Sequence, residues 1–271
     1  MINKSERHKK TKANALKTKK VLVILGSMVE RSIKTQYRRS VLGVFWTVLN
    51  PLLTMLVIAF VFSAIFKRNI AMDYPVYVLS GNIVFNLMRM ATSESLTSIV
   101  DNYDLLTKTR VPQAAFPISK NLSAAVNFGF SLIALIIVML FRIPYGVRFH
   151  WTMFMIVPFL PSIMLFSIGL SLILCSIYVR FRDIKHIYSV FLTLWMYLTP
   201  LFYSVDLLPP DVVKFINFNP MYHYVTYFRD IITGTVPSAL THLIIYGIGI
   251  FCFGVGWLVF SLSKKKFILY I

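Results

Sequence analysis

The stretch GNIVFNLMRMATSESL, residues 81–96, sets Asn82, Asn86, Arg89, Ser93 and Glu94 into an otherwise apolar run. Asn82, Asn86 and Arg89 follow one another at spacings of four and three, which on a helix places them along one face. Ionisable groups at bilayer depth are costly, and they face a protein interior or water. Two uses are open to this face: hydrogen bonding between helices, or the lining of a pathway. Glu94 is close enough in sequence to help neutralise Arg89 on the next turn.

Other residue types give covalent chemistry no foothold. No G-x-x-x-x-G-K-[ST] occurs, so the chain lacks the phosphate-cradling loop of a nucleotide hydrolase and is expected not to hydrolyse ATP by itself. The cluster GIGIFCFGVG, residues 247–256, has Cys252 where a dinucleotide-binding motif needs its third glycine, and close helix packing is its better use. The five histidines are scattered, with no metal-like spacing. Cys175 and Cys252 sit in apolar runs as small hydrophobes. Ten Asp and Glu with no carboxylate cluster argue against a membrane glycosyltransferase.

The elements that must position these residues follow from composition. Of 271 residues 57% are hydrophobic and 14% charged, against roughly 45–50% and 25% in soluble domains. Residues 41–66 carry no charge, and as a helix they reach about 39 Å, against a hydrocarbon core of about 30 Å. Further apolar runs at about 75–97, 122–141, 151–179, 187–203 and 240–262 complete an expected all-α integral membrane protein of six spans. In residues 21–38, Leu22, Leu25, Val29, Ile33 and Tyr37 recur at helical spacing, while Glu30, Lys34 and Arg38 form a polar stripe. That segment reads as an amphipathic helix in the membrane interface; a signal peptide is the competing reading, but no small-residue cleavage pattern follows. Residues 1–20 form a basic tail, and 21–271 one membrane domain.

The net charge of +18 invites a nucleic-acid reading, yet the distribution of charge has a simpler source. With the N-terminus placed in the cytoplasm, 21 of the 28 Lys and Arg fall on the inside, 6 outside, and Arg89 within a span. That asymmetry fixes both termini as cytoplasmic. Arg38 and Arg39 then anchor the inner end of the first span, Trp46 sits near the headgroup belt, and Pro51 bends the helix.

Residues 198–234 hold Pro200, Pro209, Pro210 and Pro220 among many aromatics, too broken for a span and too apolar for a solvated loop. Half-helices dipping into the outer leaflet satisfy both facts better than a plain aromatic belt. Two cytoplasmic loops, 101–120 and 178–186, mix charge with apolar groups. Asp101, Tyr103, Leu105, Leu106, Lys108 and Arg110 in the first, with Arg180, Arg182 and Asp183 in the second, read as a docking surface for a soluble partner, against simple anchoring to the membrane.

The motifs YRRSVLGVFWTVLNPLL (37–53), YVLSGNIVFN (77–86), LLTKTRVPQAAFP (105–117), YVRFRDI (178–184), LTPLFYS and NPMYHYVTYFRD together resemble the membrane subunits of ABC-2 type exporters of lipid-linked polysaccharides, which carry O-antigen, capsule-like or teichoic acid glycans. The resemblance covers nearly the whole chain beyond about residue 20; the basic tail is a departure from it. It implies a bacterial cytoplasmic-membrane homodimer with two copies of a separate ABC ATPase seated on the cytoplasmic loops. That partner would bind ATP and Mg, and this chain no cofactor. The loop at 101–117 would be the coupling helix and residues 198–234 paired re-entrant helices. Aromatic residues, for which Trp195, Tyr197, Phe202, Tyr203, Tyr222 and Tyr224 are the candidates, would line a glycan-wide channel together with Asn82, Asn86, Arg89 and Glu94. An ABC-2 exporter of drugs or lipids, or an ion channel built on the polar face of 82–94, are the alternatives.

Overall fold

The computed structural model describes residues 22–35, 42–43, 45–66, 72–108, 111–264 and 267, with 62–66 described by backbone alone. The basic tail, Arg38, Arg39 and Arg110 lie outside the described residues. Helices account for nearly everything else, and no strand occurs among the described residues. In chain order they are α1 (22–35), α2 (Phe45–Phe66), α3 (Tyr74–Thr97), α4 (Tyr103–Lys108), α5 (Ala115–Arg142), α6 (Ile156–Arg180), α7 (Ile184–Leu198), α8 (Pro210–Asn217), α9 (Pro220–Thr233) and α10 (Ala239–Ser263).

Among the described residues three helices are long and apolar enough to cross a membrane: α5 with the 3-10 turn that follows it, α6 with the 3-10 turn Trp151–Met155 that precedes it, and α10. The run expected at 122–141 is the middle of a longer helix, since α5 begins at Ala115. The run expected at 187–203 ends five residues early. Thr199 stands before Pro200, whose ring disfavours helical backbone in the preceding residue, and Thr199 is extended at φ −94° and ψ 128°. At 15 residues α7 reaches about 22 Å. Pro51 lies inside α2, and the helix continues through it.

Contacts at the helix ends give the topology. Trp46 and Asn50 of α2 share a cavity with Arg89 and Glu94 of α3, while Ile58 packs near Tyr74, so these two helices are antiparallel. At one end of the bundle, Leu106 of α4, Phe116 of α5, Val179 of α6 and Phe260 of α10 join one apolar cluster, with Met28 of α1 packed against it. At the opposite end Arg142 closes α5 onto Asp73 at the start of α3, with contacts of 2.6–3.1 Å, and Thr152 donates to the Ile231 carbonyl of α9 at 2.6 Å.

The most extensive pairing joins α6 to α10, which run parallel. Ser162 meets Gly249 and Gly169 meets Gly256, each step being seven residues or two turns on either helix. A Cβ on Gly249 would lie 2.7 Å from the Ser162 carbonyl oxygen, and one on Gly256 would overlap the backbone of Gly169. The glycine cluster read for close packing has that use here.

On α1 the half-covered positions are 24, 25, 28, 29, 32 and 33, a single helical face. Leu22 was placed on that face by its spacing but is 63% exposed. Glu30 and Lys34 form the polar side, bonded at 2.6 Å, and the Lys34 ammonium holds the Glu30 carboxyl below its ordinary value.

Candidate functional site

Most of α3 is buried, yet Asn82 and Asn86 are half-buried and Arg89 and Ser93 exposed, so the stripe found in the sequence is the side the bundle leaves uncovered. Among the described residues none of Asn82, Asn86 and Arg89 bonds to another helix. Arg89 donates from Nε and Nη2 to Oδ1 of Asn86, at 3.2 and 2.6 Å, one turn back on the same helix. An amide acceptor orients the guanidinium without cancelling its charge.

Hydrogen bonding between helices is carried by other residues. Asn121 of α5 donates through Nδ2 to Ser95 of α3 at 3.0 Å and to Ser171 of α6 at 2.9 Å. Ser95 donates in turn to the Pro117 carbonyl, and Tyr188 of α7 donates to Thr92 of α3 at 2.7 Å. These buried bonds tie α3, α5, α6 and α7 together. The sequence held a hint in the buried Thr92 and Ser95 of α3, but their partners are remote in the chain.

Four cavities follow the uncovered stripe. One of about 530 Å³ lies between α2, α3 and α5, lined by Trp46, Asn50, Asn86, Arg89, Asn127 and Ser131. One of about 180 Å³ continues it past Asn82, and one of about 370 Å³ opens toward α7, where Lys185, Ser189 and Thr193 face Arg89 and Ser93. Arg89 lines all three. Trp46 therefore stands at the mouth of the polar cavity.

Glu94 does not neutralise Arg89. It lies 3.6 Å from Lys120 of α5, which also donates to Ser32 of α1 at 3.0 Å. Five residues advance a helix by about 500°, or 140° past a full turn, so residue 94 turns away from residue 89. Glu94 and Lys120 also line the fourth cavity, about 390 Å³, between α1 and the start of α5. This junction stands where the polar stripe reaches the end of the bundle that carries α4.

At that end α4 is a short helix held by buried Leu106, with Tyr103 and Leu105 half-covered and Lys108 exposed. Asp101 accepts from Thr97 at 2.6 Å. The turn between α6 and α7 lies at the same end: Arg180, Arg182 and Asp183 are exposed, and the Arg182 guanidinium sits 5.2 Å from the centre of the Tyr178 ring. The two segments read as a docking surface thus share one end of the molecule and present charge to its exterior.

The aromatic segment resolves into distinct roles. Tyr224 is fully buried, donating to the Ile245 carbonyl at 2.8 Å, and so stands apart from any surface. Trp195 packs against Phe85, Phe166 and Phe191 and donates to Asn219 at 2.8 Å. Tyr197 is 60% exposed; Phe202, Tyr203 and Tyr222 are half-buried. Tyr203 donates to the Tyr197 carbonyl at 2.9 Å, folding the chain back after α7.

Two residues outside the sequence reading hold this segment in place. Asn219 caps α9, accepting from the Met221 amide at 3.0 Å, and its Nδ2 donates to Thr199 at 2.9 Å, so one side chain staples the end of α7 to the start of α9. The Asn219-Pro220 pair was its signal, an N-cap followed by proline at the first helical position. Arg229 donates to the carbonyls of Pro200, Leu201 and Tyr77 at 2.8, 3.1 and 3.2 Å and lies 3.5 Å over the Tyr77 ring. The absence of a side chain at Gly81 makes room for it, since a Cβ there would stand 2.7 Å from Nη2.

Among the described residues no group of His, Cys, Asp and Glu has the arrangement of a metal site. The family model described as ABC-2 type transporter matches residues 25–233. The O-antigen export system permease protein RfbA of Myxococcus xanthus is 33% identical over 77% of this chain and 79% of its own length. A Klebsiella pneumoniae protein of the same name is 25% identical over 90% and 93%. The capsule polysaccharide export inner-membrane protein CtrC of Neisseria meningitidis serogroup A is 26% identical over 76% and 77%.

Proposed function

This chain belongs to the ABC-2 type transporter family, and from that premise we propose that it is the membrane-spanning subunit of an ATP-driven exporter of a lipid-linked polysaccharide. The relatives above are named as O-antigen export system permeases and a capsule polysaccharide export inner-membrane protein, and the alignment to each extends over most of either chain. Substrate and partner are carried to this chain on that ground.

In the proposed arrangement α2, α3, α5, α6, α7 and α10 are the six spans, both termini are cytoplasmic, and α1 lies in the inner interface. The end bearing α4 is then the cytoplasmic one, a placement that the excess of Lys and Arg in the adjoining segments supports. The pair α8 and α9 forms the re-entrant hairpin of the outer leaflet. Their short lengths and the carbonyl-caging role of Arg229 support that assignment, because broken backbone at membrane depth needs internal partners.

Two copies of the chain enclose the path, and two copies of a soluble ABC ATPase bind ATP and Mg and press on α4 and the turn at 180–183. Movement there reaches the path through Lys120, which touches both Glu94 of α3 and Ser32 of α1. The observation that carries the reading is the uncovered stripe Asn82-Asn86-Arg89-Ser93, a polar wall in an apolar bundle whose own helix-to-helix bonds lie elsewhere. Tyr197, Tyr203 and Tyr222 offer ring faces along which sugars slide.

Charge reversal at the docking turn tests the coupling. Cells in which this chain carries Arg182→Glu or Asp183→Arg should assemble the subunit in the membrane, lose most of their surface glycan and accumulate lipid-linked glycan inside. Undiminished surface glycan in both variants would remove the turn from the mechanism.

A further inference from the structure

Arg89 stands eight residues before the end of α3, about 12 Å along the helix, and faces open space. Its one partner among the described residues is the neutral Asn86, bonded through Nε and Nη2, which leaves Nη1 unengaged. The nearest carboxylate in sequence, Glu94, turns away from Arg89 and is taken by Lys120. A second cation, the exposed Lys185 at the start of α7, lines the same cavity of about 370 Å³ and has no ion-pair partner among the described residues; Ser93 and Ser189 bring hydroxyls to that cavity, while the Thr193 hydroxyl donates to the Ser189 carbonyl at 3.2 Å. Arg89, with no acidic partner among the described residues and at a depth where a charge is costly unless paired, together with Lys185 at the cytoplasmic edge of the same cavity and the hydroxyls of Ser93 and Ser189, describes a site built for an anion that the chain does not itself supply.

Resting on the export reading above, we propose that Arg89 and Lys185 form an oxyanion-binding position for the transported molecule, with Asn86 as the positioning residue that aims the guanidinium. The chemistry is that of a phosphate, diphosphate or carboxylate: a guanidinium fork, an ammonium and hydroxyl donors in a half-enclosed polar cavity. The anion has two possible sources, the phosphate linking glycan to lipid and the acidic groups of the glycan itself. The depth of Arg89, near the inner boundary of the hydrocarbon layer in the proposed orientation, favours the phosphate linker. An aspartate at position 86 would keep an acceptor beside Arg89 while cancelling its charge, so the choice of asparagine is itself part of the device.

The test uses the assembled complex of this chain with its ATPase in nanodiscs, with three probes: geranylgeranyl diphosphate, geranylgeraniol and oligogalacturonate. Binding is read by thermophoresis for the unaltered complex and for Arg89→Gln, Asn86→Asp and Lys185→Gln. Loss of a charge-assisted contact is worth roughly tenfold or more in affinity. Arg89→Gln and Asn86→Asp should each weaken the diphosphate by about that factor, with a smaller loss for Lys185→Gln and none for the alcohol. A fall confined to the diphosphate identifies the linker phosphate as the anion, and a fall confined to oligogalacturonate identifies the glycan carboxylates. Either supports the site. Anion binding unchanged in all three variants overturns it, as does an unaltered complex that prefers neither anion to the alcohol. Should Arg89→Gln not assemble, Asn86→Asp and the exposed Lys185→Gln still decide. Loss of this chain from cells serves as the control: if surface glycan persists without it, the export reading fails, whereas glycan that needs the chain but tolerates all three variants sinks the anion site alone.

Discussion

At Gly169 and Gly256 two helix backbones touch with no side chain between them, and this fixes what substitution can do there. Gly256→Ala must push α10 away from α6, and overpacking of this kind costs about 1–3 kcal/mol or more. Gly254, two residues away on the same helix, has nothing within 4 Å of where its Cβ would be, so Gly254→Ala should be neutral or gain up to about 1 kcal/mol of helix propensity. Melting temperatures of the detergent-extracted variants check the contrast; equal values would mean that the two helices are not packed on this face. The glycines were legible because their use depends on local spacing within one apolar run. Arg229 was not, because its acceptors are backbone carbonyls at residues 77, 200 and 201, which no sequence motif marks. Glu94 was misassigned because proximity in sequence is not proximity around a helix, and its true partner lies 26 residues on, at Lys120.

Helices were readable wherever apolarity and regular backbone coincide. The runs expected at 75–97 and 240–262 match Tyr74–Thr97 and Ala239–Ser263 within a residue or so. Where the two diverge the reading failed: residues 199–203 stay apolar, but Pro200 has already ended the helix. From there Arg229 holds the carbonyls of Pro200 and Leu201, and Asn219 ties α7 to α9 by bonding Trp195, Thr199 and the Met221 amide at once. Asn219→Ala should lose about 1 kcal/mol for the cap and roughly another 1–3 kcal/mol for orphaned polar groups near the half-buried Trp195. Limited proteolysis is the readout: cleavage within 199–219 should accelerate while the rest of the chain stays protected. An unchanged digestion pattern would show that α7 and α9 are held by other means. The polar stripe on α3 was equally legible, since alternation of amide, guanidinium and hydroxyl at helical spacing is a local pattern. Which side of α3 bonds to neighbours was not, because that depends on Asn121 and Ser171 of other helices.

For the whole molecule, the proposed orientation rests on the asymmetry of charge and the two ends of the bundle. The Lys- and Arg-rich segments adjoin the end that carries α4, α1 and the turn at 180–183, and the opposite end carries the ion pair Asp73–Arg142 and the paired helices α8 and α9. In the proposed function that polarity becomes a direction of transport, from the proposed docking surface toward the proposed re-entrant hairpin. The dimer and the ATPase are properties of an assembly, and a single chain shows only the surfaces that would receive them. The central claim is that this chain works with an ATPase to move a lipid-linked glycan. Its most direct test is gentle extraction from the native membrane followed by mass spectrometry of what accompanies the chain. The account predicts a soluble ATPase with phosphate-cradling motifs in equal amount, two copies of each subunit, and a polyprenyl-linked glycan. A chain recovered in a pure, stable assembly with neither ATPase nor glycan would contradict it.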